Sequence, residues 1–172
     1  MASGLLTPND NSATKADARA GKYLVFHLGD EEFAIQVQKV REIMGVQDIT
    51  QVPQTPPHVK GVINLRGKVI PVVDLRLKFS MPALAYSHST CIVVVQVAGP
   101  RGTMLMGVVV DGVAEVLQVA GTDVEDTPSF GKDVEVPYVM GLAKIKGKVK
   151  ILLDIDQVMT ARELARLDLA TK

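Results

Sequence analysis

The side chains best suited to catalysis or metal binding are three histidines, one cysteine and a closely spaced pair of aspartates near the C-terminal end. His27, His58 and His88 stand in a strand-like run, a proline-rich connection and a polar loop, and their spacing matches no metal-ligand pattern. Neither a nucleophile with a neighbouring base nor a glycine-rich phosphate loop accompanies them. The sequence therefore predicts no catalytic residues, no metal and no cofactor, which indicates a protein that is not an enzyme.

The cysteine and the aspartates favour structural roles. Cys91 directly precedes the apolar run at residues 92–95, so we expect a buried thiol without an internal disulfide partner. Asp154 and Asp156 alternate at the end of a predicted strand and could form a carboxylate pair. Asp154, however, has a counterpart at Asp74 in a matching earlier segment. An aspartate that recurs at equivalent positions of two segments indicates a structural role.

Composition narrows the function classes. The chain has 172 residues, 47% of them apolar, with 19 basic and 19 acidic side chains and therefore no formal net charge. A neutral chain lacks the electrostatic attraction of nucleic-acid and anionic-membrane binders, and the four Phe, three Tyr and absent Trp leave little to stack on bases. We expect no nucleic-acid partner. A small β-barrel module that binds a ligand or nucleic acid is the alternative, but it needs a basic, aromatic groove that this composition does not supply.

The two ends of the chain differ from its middle. Residues 1–20 are rich in Ser, Ala, Thr, Asn and Asp, which predicts a mobile N-terminal tail. They lack the basic and apolar regions of a signal peptide, and no apolar run approaches the roughly 18 residues needed to cross a bilayer. We therefore expect a cytoplasmic protein without direct membrane insertion. Residues 157–172 are predicted to form a C-terminal helix and tail, because apolar residues of 156–169 share one helical face.

Between these ends the chain has the pattern of a mainly β protein. Apolar runs predict strands at residues 23–28, 33–35, 91–97 and 104–110. Residues 61–75 predict a hairpin whose tight turn lies at Arg66-Gly67, where Gly allows a positive φ. Pro71 cannot donate to a strand ladder, so it predicts an edge strand or a bulge at that point.

The most informative feature is an internal repeat. At an offset of 80 residues the pairs that recur in register are Pro57/Pro137, Val59/Val139, Gly61/Gly141, Gly67/Gly147, Lys68/Lys148, Val69/Val149 and Asp74/Asp154. At an offset of 73, residues 33–35 match 106–108 and residues 40–43 match 113–116. Recurrence of a whole supersecondary unit predicts a duplicated small β-barrel, with units at about residues 22–80 and 90–156.

Each repeat unit would be only marginally stable alone. We therefore expect the two barrels to share an apolar interface, with the groove between them as a natural docking site. The repeat defines the units but leaves open whether the two barrels exchange strands.

With these segments in this order, the chain resembles the CheW-like chemotaxis coupling proteins, from about Lys22 to Met159. The resemblance is carried by residues 24–26, 33–35, 40–43, 61–67, 69–76, Phe79 and 107–113. It implies a CheW-like domain over residues 21–160, built of two SH3-like five-stranded β-barrels with short helices. It also implies a non-catalytic adaptor that couples methyl-accepting chemoreceptors to a CheA-type histidine kinase in chemotaxis signal transduction.

The resemblance also implies specific partners. These are the regulatory domain of the kinase, which is itself CheW-like, and the cytoplasmic tip of the receptors, which would recruit the adaptor to membrane-attached arrays. Whether the adaptor also forms rings with other CheW-like domains stays open.

Eight residues are the candidates for these contacts. Glu42 and Arg66 match positions that the resemblance assigns to receptor binding, and we expect the two side chains to lie close enough to pair. Val40 and Val113 are equivalent positions of the two repeats; they are either core residues or apolar anchors for a receptor helix. The remaining four are glycines that form turns, allow close approach or bind a partner: Gly61, Gly67, Gly107 and Gly141.

Overall fold

The computed structural model describes residues 18–126 and 137–170, without the side chains of residues 168–170. Most of the predicted N-terminal tail, at residues 1–17, lies outside the described residues, as do residues 171–172. The strands are β1 (Gly21–Leu28), β2 (Glu31–Gln36), β3 (Val40–Gly45), β4 (Val59–Leu65), β5 (Lys68–Asp74), β6 (Cys91–Gly99), β7 (Gly102–Val110), β8 (Gly112–Val119), β9 (Val124–Glu125), β10 (Val139–Ile145) and β11 (Lys148–Leu153). The helices are α1 (Leu75–Lys78), α2 (Ile155–Val158) and α3 (Ala161–Ala170).

The strands form two sheets, each the basis of one lobe. Lobe 1 has the order β3-β6-β7-β5-β4, and lobe 2 has the order β8-β1-β2-β11-β10-β9. The sixth strand of lobe 2 is only the two-residue β9, and the matching place in lobe 1 holds a single bridge between Thr50 and Val62. The prediction of a mainly β protein with two SH3-like lobes and short helices is confirmed.

The two repeats exchange their hairpins. The β1–β2 hairpin of the first repeat lies in lobe 2, and the β6–β7 hairpin of the second repeat lies in lobe 1. Each exchanged hairpin joins its new sheet through a parallel pairing, β2 with β11 and β7 with β5, while the neighbouring pairs are antiparallel. The boundaries of the sequence repeats therefore do not coincide with the boundaries of the sheets.

Three apolar clusters result from this arrangement. The interior of lobe 1 holds Ile63, Ile70, Val72, Ile92, Val94 and Val109, and the interior of lobe 2 holds Tyr23, Val25, Ala34, Val119, Val124, Ala143 and Leu152. A larger shared core draws on both sheets, with Phe26, Phe33 and Ile35 from one and Val93, Val95 and Val108 from the other. The shared core makes the two lobes one hydrophobic unit, since burial of apolar surface is the main stabilising term in folding.

The C-terminal segment is two helices instead of the single predicted one. Helix α2 ends at Val158, and α3 begins at Ala161 after Thr160, whose Oγ accepts a hydrogen bond from the Glu163 backbone N–H at 3.1 Å. Thr160 thus caps a new helix, which competes with continuation of the old one. Leu164 and Leu167 of α3 pack into the shared core. Within the described residues, every helix is too short or too polar to span a membrane.

Two local predictions were wrong. Cys91 is half-buried instead of fully buried, because it begins β6, where its thiol donates to the Ser89 carbonyl oxygen at 3.2 Å. Pro71 lies neither in an edge strand nor at a bulge, since β5 has β4 on one side and β7 on the other. The ladder to β7 begins only at Val72, so no backbone donor is needed at Pro71.

The hairpin exchange can be tested by dividing the chain between the repeats. The fragment of residues 18–88 contains β1–β2 and β3–β5, which belong to different sheets. We expect neither it nor the fragment 89–172 to unfold cooperatively alone, whereas an equimolar mixture regains a cooperative transition in thermal circular dichroism. A single fragment that unfolds cooperatively as a monomer would show that each repeat can close its own barrel.

Candidate functional site

An exposed turn carries Arg66, the first of the predicted site residues. The chain reverses between β4 and β5 through Arg66 and Gly67, with φ of 51° and 87°, as in the mirror-image turns that suit two-residue hairpins. The Asn64 side-chain oxygen accepts a hydrogen bond from the Gly67 N–H at 2.8 Å and closes the turn. Arg66 is left 72% exposed at the tip of the hairpin.

Glu42 on β3 is the ionic partner of Arg66, so the predicted pairing is present. Both guanidinium Nη atoms face the carboxylate: Nη1 donates to Oε2 at 3.4 Å, and Nη2 makes a closer contact with Oε1. The hydrogen bond from Arg66 lowers the pKa of Glu42, and the same bond raises the pKa of Arg66. Because the pair is open to solvent, it adds little to stability. Its charged groups stay available to a partner.

Val40 is the first residue of β3, and Val113 is the second residue of β8. Both strands lie at an edge of their sheets. Both side chains are half-buried and pack against the shared core. The structure thus places them at equivalent points of the two lobes, just after the chain crosses from one sheet to the other. They contribute to the core and still leave part of their apolar surface exposed.

The four glycines differ in what surrounds them. A Cβ on Gly61 would overlap the Thr50 carbonyl oxygen, and one on Gly141 would lie 2.7 Å from Val124 Cγ1. A Cβ on Gly107 would lie 2.8 Å from Ile92 Cγ2, whereas Gly67 has nothing within 4 Å. Close packing therefore explains why positions 61, 107 and 141 are occupied by glycine. Gly67 is set apart from them by its open surroundings and its place in the turn.

Sequence reasoning missed an ion pair at the crossing from β7 to β8. Arg76, the second residue of α1, donates from Nε to both oxygens of Asp111 at 2.9 and 3.0 Å. Asp111 also accepts from the Gly29 N–H of the β1–β2 turn at 2.7 Å. Burial alone would raise the pKa of Asp111, but Arg76 and the Gly29 N–H together lower it. The cluster joins elements of both lobes.

The crossing from β2 to β3 carries an ion pair of reversed polarity. Asp156, the second residue of α2, accepts from the Lys39 ammonium at 2.6 Å and from the Ala98 N–H at 2.9 Å. Asp154 caps the same helix by accepting from the Asp156 N–H at 3.1 Å, and Asp74 caps α1 in the same way. The structural interpretation of Asp74 and Asp154 is confirmed.

A third cluster holds helix α3 in place. Glu163 accepts from the Thr160 N–H at 2.8 Å, from the Lys78 ammonium at 2.9 Å and contacts His58 Nε2 at 2.7 Å. Burial alone would raise the pKa of Glu163, but these three groups lower it to about 2. The spacing of Thr160 and Glu163 is the sequence signature of a capping box, which could have located this part of the cluster. No sequence pattern links Glu163 to His58, because the two are 105 residues apart.

Each lobe leaves the same two apolar side chains at the surface. In lobe 1 they are Ile43 and Val69, 44% and 42% exposed; in lobe 2 they are Val116 and Val149, 55% and 46% exposed. These positions are equivalent in the repeat. Single exposed apolar side chains are common on protein surfaces, so what sets these four apart is that their exposure recurs at equivalent positions of both lobes. Among the described residues, no group of His, Cys, Asp and Glu has the arrangement of a metal site.

A family model and several known proteins match most of this chain in sequence. The family model of the CheW-like domain matches residues 22–163. Chemotaxis protein CheW of Klebsiella aerogenes is 35% identical over 151 residues, which cover 88% of this chain and 89% of that protein. Protein FrzA of Myxococcus xanthus is 28% identical over 157 residues, covering 89% and 95%.

A solved structure shares the fold. The crystal structure of scaffolding protein TtCheW from Thermoanaerobacter tengcongensis superposes with a TM-score of 0.74 at 30% sequence identity. The match covers 84% of this chain and 97% of that one, so it includes both lobes of the arrangement described above.

The Glu163 cluster makes stability depend on pH. The pKa of Glu163 falls from 4.5 to about 2 on folding, so its contribution is fully present above 4.5 and is lost as the pH falls towards 2. Glu163→Gln keeps the hydrogen-bonding shape of the cap but removes the charge. We expect it to lower the free energy of unfolding by about 1–2 kcal/mol at pH 7, and by clearly less at pH 3.5, in urea titrations.

The matched control for this prediction is Glu31→Gln. Glu31 is an exposed carboxylate at the start of β2, so its removal should leave the free energy of unfolding nearly unchanged at both pH values. A Glu163→Gln deficit that is the same at pH 7 and pH 3.5 would contradict the electrostatic interpretation.

Proposed function

The chain belongs to the CheW-like family, and from this premise we propose that it is a non-catalytic adaptor coupling methyl-accepting chemoreceptors to a CheA-type histidine kinase. Two of the similar proteins are named chemotaxis protein CheW, and another is described as a scaffolding protein. The observation that carries the proposal is the solvent-exposed Glu42–Arg66 pair on the tip of lobe 1. A charged pair that stabilises the fold little is free to serve recognition.

The receptor surface on lobe 1 combines charge with apolar area. Arg66 stands at the hairpin tip and Glu42 on the neighbouring edge strand, so the pair offers one positive and one negative group in fixed order. Val40 lies on the same strand as Glu42 and is half-buried. A receptor helix packed along this edge would find an apolar contact beside a charged anchor, which suits a helix-in-groove interface. Val113 supplies the equivalent contact on lobe 2.

Charge reversal at Arg66 tests the receptor surface, and the repeat supplies a matched control. Lys146 occupies the same turn in lobe 2, with φ of 54°, followed by Gly147 at 79°. We expect Arg66→Glu to weaken binding of a receptor signalling fragment about tenfold or more, because it sets two carboxylates side by side and removes the cation. Lys146→Glu should bind the fragment normally. Both variants should keep a melting temperature close to that of the unaltered chain.

Co-sedimentation with the receptor fragment and with the kinase regulatory domain measures both contacts. Loss of receptor binding with retained kinase binding supports a separate receptor surface around Arg66. Intact receptor binding by Arg66→Glu, or equal losses in both variants, would count against the assignment.

The kinase surface is proposed to lie on lobe 2, away from the Glu42–Arg66 pair. An adaptor must hold both partners at once, so the two surfaces cannot overlap. Val116 and Val149 are the more exposed of the duplicated apolar pairs. Apolar side chains at the centre of an interface exclude water and supply much of its affinity. The equivalent pair on lobe 1 would suit a CheW-like domain other than that of the kinase, such as a second copy of the adaptor, and such contacts would extend into rings within receptor arrays.

Val116→Asp tests the kinase surface. The substitution places a charge in the proposed apolar contact, and we expect binding of the kinase regulatory domain to fall about tenfold or more in calorimetric titration. Ile43→Asp makes the same change at the equivalent position of lobe 1 and should leave kinase affinity within about threefold. Comparable losses in the two variants would place the kinase on both lobes and refute the division proposed here.

A further inference from the structure

A groove between helix α3 and the proline-rich segment at residues 52–56 takes no part in the surfaces described above. The cavity within it has a volume of about 230 Å³. Val59, Met159 and Leu167, which belong to the shared core, form its apolar part. The groove is therefore an opening onto the shared core at the surface of the molecule.

The size of the cavity limits what can enter. Pockets for small organic ligands usually exceed about 300 Å³ and enclose most of the ligand. A smaller apolar cavity beside an open groove suits one or two side chains of a peptide, with the peptide backbone lying outside.

The rim of the groove is positively charged. Arg162 and Arg166 are exposed, lie one helical turn apart on α3 and line the groove. Within the part of the chain that the structure describes, neither has an ionic partner. The one carboxylate of the lining, Glu163, is already held by Lys78 and His58. The groove thus presents two free guanidinium groups on a chain without net charge, which favours an acidic occupant.

The walls of the groove are preorganised. Pro53 and Pro56 fix the backbone of one wall, and the Thr55 hydroxyl donates to the Val52 carbonyl oxygen at 2.9 Å within it. The Glu163 cluster holds α3, which forms the other wall. A groove whose walls are already ordered loses little conformational entropy when a peptide binds.

We propose that this groove docks a short acidic segment of a partner protein. One apolar side chain of the segment inserts against Val59, Met159 and Leu167, and carboxylates flanking it bind Arg162 and Arg166. The contact is additional to the receptor and kinase surfaces, and it does not depend on them.

Two designed peptides test the proposal. Each carries a single Trp, flanked by Asp and Glu in one peptide and by Lys in the other. The chain itself has no Trp, so the emission of the peptide reports binding without background. We expect the acidic peptide to bind with a blue-shifted emission, more weakly as salt rises, and the basic peptide not to bind. In nitrogen-15 spectra the amides of residues 52–56 and 159–167 should shift.

Charge variants locate the contact. The double variant Arg162→Glu with Arg166→Glu should bind the acidic peptide about tenfold more weakly. The double variant with Gln at both positions should lose less affinity for this peptide. Lys146→Glu with Lys148→Glu removes two exposed cations from lobe 2 and should leave the affinity unchanged. Melting temperatures show that each variant folds.

Three results would overturn the proposal. They are equal binding of the two peptides, amide shifts outside the groove, and affinity that is insensitive to the Arg changes. A doubled mass in light scattering without peptide, abolished by the Arg162 and Arg166 changes, would assign the groove to a second copy of the chain and would also refute it.

Discussion

Exchange of the two hairpins is the constraint on which the rest of this structure depends. Each sheet is completed by strands from the other repeat, through parallel pairings of β2 with β11 and of β7 with β5. Parallel neighbours cannot be joined by a tight turn, so the chain must cross between sheets after β2 and after β7. The shared core follows from these crossings, because they bring apolar faces of both sheets into one cluster.

The ion pairs at the crossings also discriminate against the unexchanged arrangement. If each repeat closed its own barrel, β2 would take the place of β7 beside β5. At the offset of 73 residues, Asp111 corresponds to Gln38, which directly precedes Lys39. Arg76 would then face Gln38 and Lys39 in place of a carboxylate, and Asp156 would face Asp111 in place of Lys39. In the observed structure the same four residues form two pairs of opposite charge, Arg76 with Asp111 and Lys39 with Asp156. Partly buried like charges repel, so reversal of polarity between the repeats favours exchange over two separate barrels.

The features that could be predicted from the sequence are those set by local chemistry or by repetition. The Arg66-Gly67 turn follows from the need for positive φ, and the two lobes follow from a repeat that is visible in the sequence. The proximity of Glu42 to Arg66 was accessible only through the family resemblance. Exchange of the hairpins was not accessible, since both repeats carry the same apolar pattern. The charges at the crossings do differ between the repeats, but which of them pair is visible only in the structure. Contacts such as His58 with Glu163 join distant segments without any periodic signal.

The pairing of β2 with β11 has a consequence for synthesis of the chain in the cell. Lobe 1 has all its strands once β7 has left the ribosome, whereas the β1–β2 hairpin must wait for β11. At translation rates of about 5–20 residues per second, the separation from Gln36 to Leu153 corresponds to roughly 6–23 s. Throughout that interval Phe33 and Ile35 of β2 lack their strand neighbours on β11, Ile151 and Leu153. A hairpin that precedes the other described strands is thus among the last to complete its sheet, which makes it a natural client for chaperones while the chain is being synthesised.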